Sequence, residues 1–188
     1  MKLKKVFLLV FSLMLLSSCV KDIDFDQAET FIIDPVIESS FIFFNEPATS
    51  FMEEDGSEAS VVLDTVRVEV FTDDFIVDNL VKAEFTFEGI NTINRAYTAA
   101  IDFLNDDDEI QHTTNLAIPA SPTNQPIEVV VVETFEGIPL EAVKNSTQLA
   151  FTLELQASDD GTIIDENTVG DLSFRSKGAF YFLIDVIE

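Results

Sequence analysis

The chain has one cysteine, one histidine and no tryptophan among its 188 residues. A single cysteine cannot form an intrachain disulfide, and one cysteine with one histidine supplies neither a conventional zinc site nor a Cys/His catalytic pair unless carboxylates complete the site. Positive charge is also scarce, because 10 lysines and arginines stand against 35 aspartates and glutamates, for a formal net charge of −25. Such an acidic chain repels the phosphate backbone of nucleic acids, which excludes nucleic acid as a partner.

Catalytic motifs are equally scarce. The single histidine, His112, lies in the segment Ile110–Thr114, which contains neither a nucleophile elbow nor a recognisable triad partner. We expect it to be a partly exposed histidine on a strand. Glycoside hydrolysis needs only two carboxylates about 5 to 10 Å apart. Among 35 acidic residues some pair meets this distance by chance, so the acids alone do not indicate a hydrolase. The sequence therefore predicts a protein that is not an enzyme.

The N-terminus has the pattern of a secretory signal peptide. Three lysines in residues 1–5 precede the apolar run Val6–Leu16, which only Ser12 interrupts. The run is too short to cross about 30 Å of hydrocarbon as a helix. This order of a basic segment and a short apolar segment predicts export and removal of residues 1–18.

The end of this run resembles the lipobox of bacterial lipoproteins, with Leu16, Ser17 and Ser18 before Cys19. The resemblance implies cleavage before a diacylglycerylated Cys19, which becomes the first residue of the mature chain. One acyl chain binds a membrane only marginally, whereas the two or more chains of a lipoprotein anchor it stably. Val20, rather than aspartate, follows the cysteine, and by lipoprotein sorting rules this implies delivery to the outer membrane.

Residues 19–30 form an acidic segment that we predict to be a flexible tether. Its first part contains Lys21, Asp22, Asp24 and Asp26. This resembles the short lysine and acidic export signal with which Bacteroidota lipoproteins are displayed on the cell surface. A solvated acidic linker beside a membrane has the same composition, and the sequence leaves both interpretations open.

Residues 31–188 have the pattern of one antiparallel β domain. Short apolar runs alternate with clusters of Asp, Asn, Gly, Pro and Ser. In segments such as Phe85–Phe87 and Phe151–Leu155 the apolar residues occupy every second position, which places one face of a strand in a core. A short helix is expected only at Pro139–Lys144. We therefore predict an all-β fold, an antiparallel β-sandwich of Ig-like or related topology with about eight to ten strands.

Three runs are apolar at nearly every position, namely Phe41–Phe44, Val129–Val132 and Phe180–Ile187. Both faces of such a strand are apolar, so both are expected to be covered. The pattern predicts that these runs lie centrally in a sheet or under a neighbouring element.

Two acidic loops contain oxygen ligands that a calcium ion prefers. The first comprises Asp106, Asp107, Asp108 and Glu109, and the second comprises Asp159, Asp160, Asp165 and Glu166. Asp and Gly also favour turns for reasons of backbone geometry, so solvated turns explain the same residues. Calcium is the only cofactor that the sequence suggests.

The chain as a whole resembles a group of flavobacterial outer-membrane lipoproteins of similar length. The resemblance is carried by the lipobox, the acidic tether and the segments Asn91–Ala96 and Ser176–Phe182. It implies an outer-membrane location and an all-β domain, but no activity.

These patterns predict an outer-membrane lipoprotein that acts as a binding or scaffold subunit of a cell-envelope assembly. Its expected partners are the membrane, through the lipid on Cys19, and an envelope protein. A surface module that binds a glycan or a protein for nutrient capture or adhesion is the alternative, although the absence of tryptophan counts against a sugar platform. A hydrolase with a carboxylate pair of unknown position is the third possibility.

Overall fold

The computed structural model describes residues 32–59, 61–67, 73–158 and 161–185. Ile33–Ile184 form one compact unit, and the other unit, residues 1–32 and 185–188, includes only Ile32 and Asp185 of the described residues. The predicted signal peptide, Cys19 and the tether lie outside the described residues.

The described residues form ten strands, two short α-helices and one turn of 3-10 helix. The strands are β1 (Ile32–Ile33), β2 (Val36–Pro47), β3 (Val61–Arg67), β4 (Leu80–Asn91), β5 (Tyr97–Leu104), β6 (Ile110–Ile118), β7 (Ile127–Glu136), β8 (Gln148–Leu155), β9 (Asp171–Phe182) and β10 (Ile184–Asp185). The helices are α1 (Asp74–Asn79), α2 (Ile138–Lys144) and the 3-10 turn Ala48–Phe51. None of the helices in the described ranges is long and apolar enough to cross a membrane.

Eight of the strands form two four-stranded sheets, in the orders β2-β9-β4-β7 and β3-β8-β5-β6. Neighbouring strands within each sheet are antiparallel. The remaining strands, β1 and β10, pair with each other. An Ig domain has the orders ABED and CFG, whereas the orders found here, with eight strands that switch repeatedly between two sheets, are those of a jelly roll. The predicted antiparallel sandwich is thus confirmed, with a related topology rather than the Ig-like one.

Phenylalanine rings from both sheets form the core. Phe85 of β4 is fully buried and contacts Phe103 of β5 edge-on, with ring centroids 5.0 Å apart. Phe135 and Phe180 also meet Phe85 edge-on, at 5.8 and 5.7 Å. This geometry places the positive edge of one ring against the negative face of another. A fully buried ring of this size contributes about 1.5–3 kcal/mol to folding, so the Phe-rich composition supplies the core of this small domain.

The alternating segments behave as predicted. Phe85, Phe87, Phe151 and Leu153 are all buried. Helix α2 forms where Pro139 was expected to begin a helix, and its Leu140 and Val143 are buried. Helix α1 was not predicted. It begins at a local cap, because the carboxylate of Asp73 accepts hydrogen bonds from the backbone N–H groups of Phe75 and Ile76 at 2.9 and 3.3 Å.

The prediction for the fully apolar runs is wrong for two of the three. Phe41–Phe44 belongs to β2 and Val129–Val132 to β7, and these are the two edge strands of one sheet. The described part of the third run, Phe180–Asp185, begins in β9, which does lie between two neighbours. The composition of a strand shows how much apolar surface it has but does not show what covers that surface.

Candidate functional site

The outer face of sheet β2-β9-β4-β7 presents an unusual combination of side chains. The strand register aligns outward-facing residues in rows that cross the four strands in this order. One row consists of Phe43, Arg175, Glu88 and Val130, and the next consists of Ser40, Lys177, Thr86 and Val132. We refer to these two rows as the outer-face site.

A β-bulge in β2 determines which residues reach this face. The register shifts between Ser40 and Phe43, so that two residues, Phe41 and Ile42, lie opposite the single residue Ser176. Strict alternation from Ser40 would turn Phe43 towards the core, and the extra residue turns it outward instead. Ile42 is consequently buried, whereas 76% of the Phe43 surface is exposed.

The bulge leaves no unsatisfied backbone donor at Ile42. Its N–H donates a hydrogen bond of 3.0 Å to Oγ of Ser176. Ser176 is itself buried, and its hydroxyl accepts the hydrogen bond that an uninterrupted ladder would have given this N–H through a backbone carbonyl. A buried amide without a partner costs about 1–3 kcal/mol, so this side chain makes the bulge compatible with a stable sheet.

A depression of about 540 Å³ lies beside the bulge. It is lined by Ser40, Ile42, Phe43, Thr86, Glu88, Arg175, Ser176 and Lys177. A smaller depression of about 130 Å³ adjoins it and shares Phe43, Glu88 and Arg175. We call the larger one the bulge depression. Its volume falls within the range of about 300–1,000 Å³ that is typical of small-molecule sites.

The basic residues near the bulge depression differ in how they are paired. Arg175 forms an ion pair with Glu88, and the hydrogen bond and charge of Glu88 raise the pKa of the Arg175 guanidinium. Lys177 is exposed, and within the described parts of the chain its ammonium group has no hydrogen bond or ion pair. The depression therefore contains two cations and one carboxylate, in a chain that is otherwise strongly acidic.

The far end of the same face is fully paired. The ammonium of Lys82 lies 3.2 Å from the Glu84 carboxylate, 3.8 Å from that of Glu136 and 4.6 Å from the centre of the Tyr181 ring. Tyr181 donates its hydroxyl hydrogen to Glu84. These hydrogen bonds raise the pKa of Lys82 and lower that of Glu84. This end of the face offers a ligand fewer free groups than the bulge depression does.

The apolar residues of the outer-face site lie on its two edge strands. The exposed fraction is 76% for Phe43 on β2, and 58% and 48% for Val132 and Val130 on β7. Outward positions on a solvated sheet are normally polar. Exposed apolar side chains that share one face are a feature of contact surfaces, although here they lie on either side of a charged centre.

The single histidine is part of a different cluster, between the edge strands of the two sheets. Nε2 of His112 on β6 lies 2.7 Å from Oε1 of Glu133 on β7, and the hydroxyl of Thr114 donates to the same carboxylate. The prediction of a partly exposed strand histidine is confirmed. Here the carboxylate lies between the hydroxyl and the imidazole, whereas a nucleophilic triad needs the imidazole between the hydroxyl and the carboxylate.

The first acidic loop is the turn between β5 and β6. Oδ1 of Asn105 accepts hydrogen bonds from the N–H groups of Asp107 and Glu109, at 3.0 and 2.8 Å. The Asp106 carboxylate accepts from Thr147 and that of Asp108 accepts from Gln148. These carboxylates are therefore already engaged in stabilising the turn.

The second acidic loop lies between β8 and β9, at the opposite end of the sheet from the first. Asp165 accepts hydrogen bonds from Asn167 and Thr168, which hold the pKa of its carboxyl below the usual value. Glu166 is exposed, and Asp159 and Asp160 lie outside the described residues. Among the described residues, no group of three or more His, Cys, Asp or Glu is placed to hold a metal ion. Calcium binding stays a prediction, with four of its eight carboxylates in each loop.

The predicted lipidation and export residues cannot be placed. Leu16, Ser17, Ser18 and Cys19, and the tether residues Lys21, Asp22, Asp24 and Asp26, all lie outside the described residues. Sequence reasoning also missed the outer-face site. The available signals were the two fully apolar runs Phe41–Phe44 and Val129–Val132, which the sequence pattern assigns to covered positions.

Comparisons with known proteins place the chain near several solved structures. A Parabacteroides distasonis protein, described as secreted, aligns over 64% of this chain and 37% of its own at 15% identity, with a TM-score of 0.43. The VP2 subviral particle of infectious bursal disease virus aligns over 79% of this chain and 32% of its own at 10% identity, with a TM-score of 0.45. The enzymatically active domain of tailspike protein 4 from bacteriophage CBA120 aligns over 80% and 19% at 10% identity, with a TM-score of 0.38.

This chain thus spans less than two fifths of the length of each of these structures. No family model matches the chain, and neither does any curated protein.

Proposed function

We propose that this protein is an exported lipoprotein of the bacterial outer membrane and that its jelly-roll domain is a binding or scaffold subunit without catalytic activity. Cys19 carries the lipid, and residues 19–30 connect it to the domain. An envelope protein docks on the outer-face site. The lipobox pattern supports the anchor, and the exposed face of sheet β2-β9-β4-β7 supports the binding role.

One observation carries the binding role, namely the exposure of apolar side chains on both edges of a single face. Phe43, Val130 and Val132 are each about half exposed or more, and each faces outward in a register that the sheet hydrogen bonds determine. Removing such side chains from water is favourable by about 25 cal/mol per Å² of apolar area. A partner that covers this face therefore gains binding energy, and the charged residues at the centre of the face favour a partner with complementary charges.

The absence of a catalytic role is supported by the geometry of the described acids. The bulge depression contains one carboxylate, that of Glu88, whereas glycoside hydrolysis requires two. The Glu133 carboxylate separates Thr114 from His112, so the imidazole is not placed as a base for that hydroxyl.

Site-specific photo-crosslinking in intact cells tests the docking face. A crosslinking side chain at Val130 or Val132 should form the same discrete adduct with one envelope protein. The matched control position is Ile110, which is 60% exposed but belongs to β6 of the other sheet. Adducts of equal yield from Ile110, or none from the two valines, would refute docking on this face.

Glycan binding is the second candidate function, and one observation favours it. The Phe43 ring is exposed beside a depression of about 540 Å³ that also contains hydroxyl groups. Aromatic rings next to polar groups are common in sites for small polar ligands.

A further inference from the structure

We propose that the bulge depression binds an acidic saccharide. A sugar ring lies on the Phe43 ring, and the carboxylate of the sugar lies between Lys177 and Arg175. The inference rests on the second candidate function, glycan binding, and deepens it, because it names the class of sugar that one part of the outer-face site would bind. Three features of the depression support it, namely the state of its backbone, its side-chain chemistry and its charge.

The backbone of the two inner strands beneath the depression is already paired, so a ligand that lies over them is recognised there by side chains. The depression lies over β9 and β4, the two inner strands of the sheet, whose ladders are continuous at Arg175 and Glu88. The N–H of Ile42, which the bulge would leave free, is bonded to Ser176. An extended peptide gains most of its affinity from backbone pairing at an open strand edge. The depression therefore favours a ligand that is bound through side-chain groups rather than a peptide.

The side chains of the depression match the groups of a sugar. The hydroxyls of Ser40 and Thr86 each donate and accept hydrogen bonds, and the Glu88 carboxylate accepts them. Sugar hydroxyls have the same dual character. The Phe43 ring provides a flat apolar surface for the C–H face of a pyranose. Its 76% exposure means that this surface is available without any rearrangement of the core.

The charge of the depression favours an anionic group on the ligand. Arg175 and Lys177 together outnumber Glu88, and the Lys177 ammonium has no partner within the described parts of the chain. A carboxylate beside both cations forms charge-assisted hydrogen bonds, which are about twice as strong as neutral ones.

The remainder of the molecule limits how much negative charge the ligand can carry. The formal charge of the chain is −25, and in physiological salt such charges act over about 8 Å. Glu84 and Glu128 lie on the same face, on either side of the two rows. A saccharide with separate carboxylates is therefore a better ligand than a densely sulfated one.

Titration calorimetry of the full-length protein in detergent tests the proposal with tetragalacturonate as the probe. Its methyl ester is the matched control ligand, because esterification removes the charges and keeps the sugar rings. We expect the ester to bind about tenfold more weakly. The Lys177→Gln variant should lose about tenfold in affinity for the acid and nothing for the ester. Lys144→Gln, which removes a cation on α2, should leave both affinities unchanged.

The aromatic contact is tested separately. Phe43→Leu keeps an apolar side chain but removes the ring, and we expect both ligands to bind at least fivefold more weakly. Phe43→Tyr should restore binding. Phe75→Leu is the control, since Phe75 is 57% exposed but belongs to α1. Equal losses in Phe75→Leu and Phe43→Leu would refute the assignment of the ring.

The outcomes also separate this inference from the docking proposal. Equal affinity for acid and ester, or no binding of either, would refute the acidic-saccharide site. Docking on the outer-face site would still stand if Val130 and Val132 give the crosslinked adduct. A tetraglutamate peptide that binds as tightly as tetragalacturonate would show a general carboxylate site and would refute the saccharide assignment.

Discussion

Arg95 and Glu58 form a bidentate ion pair in which Nη1 donates to Oε1 and Nη2 to Oε2, both at 2.7 Å. The same guanidinium donates to the carbonyls of Gln156 and Thr162, and the N–H of Ile164 donates to Glu58 at 2.6 Å. One buried arginine thus connects three loops at one end of the sandwich. Its side chain is 7% exposed, so its charge depends on Glu58 for compensation.

Glu58→Gln is expected to lower the free energy of unfolding by about 3 kcal/mol, because it leaves the Arg95 charge buried without a counter-charge. Chemical denaturation measures the change. Glu88→Gln is the control, since it also removes a largely covered carboxylate, 14% exposed, but leaves behind a cation, Arg175, whose side chain is 61% exposed. The loss of stability in this control should be much smaller, because the arginine that it leaves unpaired is in water. Similar losses in the two variants would contradict a structural role specific to the buried pair.

Acid should weaken the same pair. Burial raises the pKa of Glu58, but the hydrogen bonds from Arg95 and Ile164 and the Arg95 charge outweigh this and hold the pKa below its ordinary value of 4.5. A carboxyl whose pKa is lowered by folding stabilises the protein above its unfolded pKa, and this stabilisation is lost as the pH falls through the folded pKa.

The difference in unfolding free energy between wild type and Glu58→Gln should therefore be constant above about pH 5.5. It should shrink as the pH falls below 4.5, the ordinary pKa of the group. Denaturation curves of both proteins at a series of pH values measure this difference. Because both proteins contain all the other carboxylates, the contributions of those groups cancel in the difference. A difference that grows on acidification would show that folding raises the pKa of Glu58 rather than lowering it.

Tyr97→Phe is expected to stabilise the protein by about 1 kcal/mol. The Tyr97 hydroxyl is buried and has no hydrogen-bond partner within the described parts of the chain, and burial raises its pKa. Removing an unsatisfied buried polar group recovers part of its desolvation cost. Tyr181→Phe is the control, because that hydroxyl donates to Glu84 and its loss should not stabilise. A thermal melt that shows Tyr97→Phe to be less stable than wild type would contradict this prediction.

Two glycines with positive φ should differ in their tolerance of alanine. At Gly170, with φ of 109°, an added Cβ would lie 2.5 Å from the carbonyl oxygen of Thr92. At Gly161, with φ of 74°, it would meet nothing within 4 Å. Gly161→Ala should cost about 1 kcal/mol for the backbone conformation alone. Gly170→Ala should cost about 3 kcal/mol, because the backbone of Thr92 must also move. If chemical denaturation shows the same loss of stability for both variants, the backbone of Thr92 does not lie close to Gly170.

Cys19→Ala should abolish incorporation of a radiolabelled fatty acid and leave an uncleaved precursor, since the peptidase acts on the lipid-modified cysteine. Ser18→Ala is the control, because it keeps a small residue before Cys19 and should be labelled like wild type. Gel autoradiography after metabolic labelling measures how much fatty acid each protein incorporates. Equal labelling of wild type and Cys19→Ala would remove the basis for a lipid anchor.

Several features of this protein follow from short-range patterns in the sequence. Alternating apolar residues in segments such as Phe85–Phe87 determine that a strand forms and which of its faces is buried, and both residues are in the core. Pro139 with Leu140 and Val143 was enough to locate α2. Each of these features depends on residues within a few positions of one another, so a local pattern contains the information.

The tertiary structure decided what surrounds each strand and hence where the candidate site lies. Strand order made β2 and β7 the edges of one sheet, so Val130 and Val132 are exposed rather than covered. The bulge that turns Phe43 outward exists only because β2 pairs with β9, more than a hundred residues later. Arg95 and Glu58 are likewise 37 positions apart. The physical reason is that alternation specifies the face on which a side chain lies, whereas its neighbours depend on long-range pairing that closes the chain on itself.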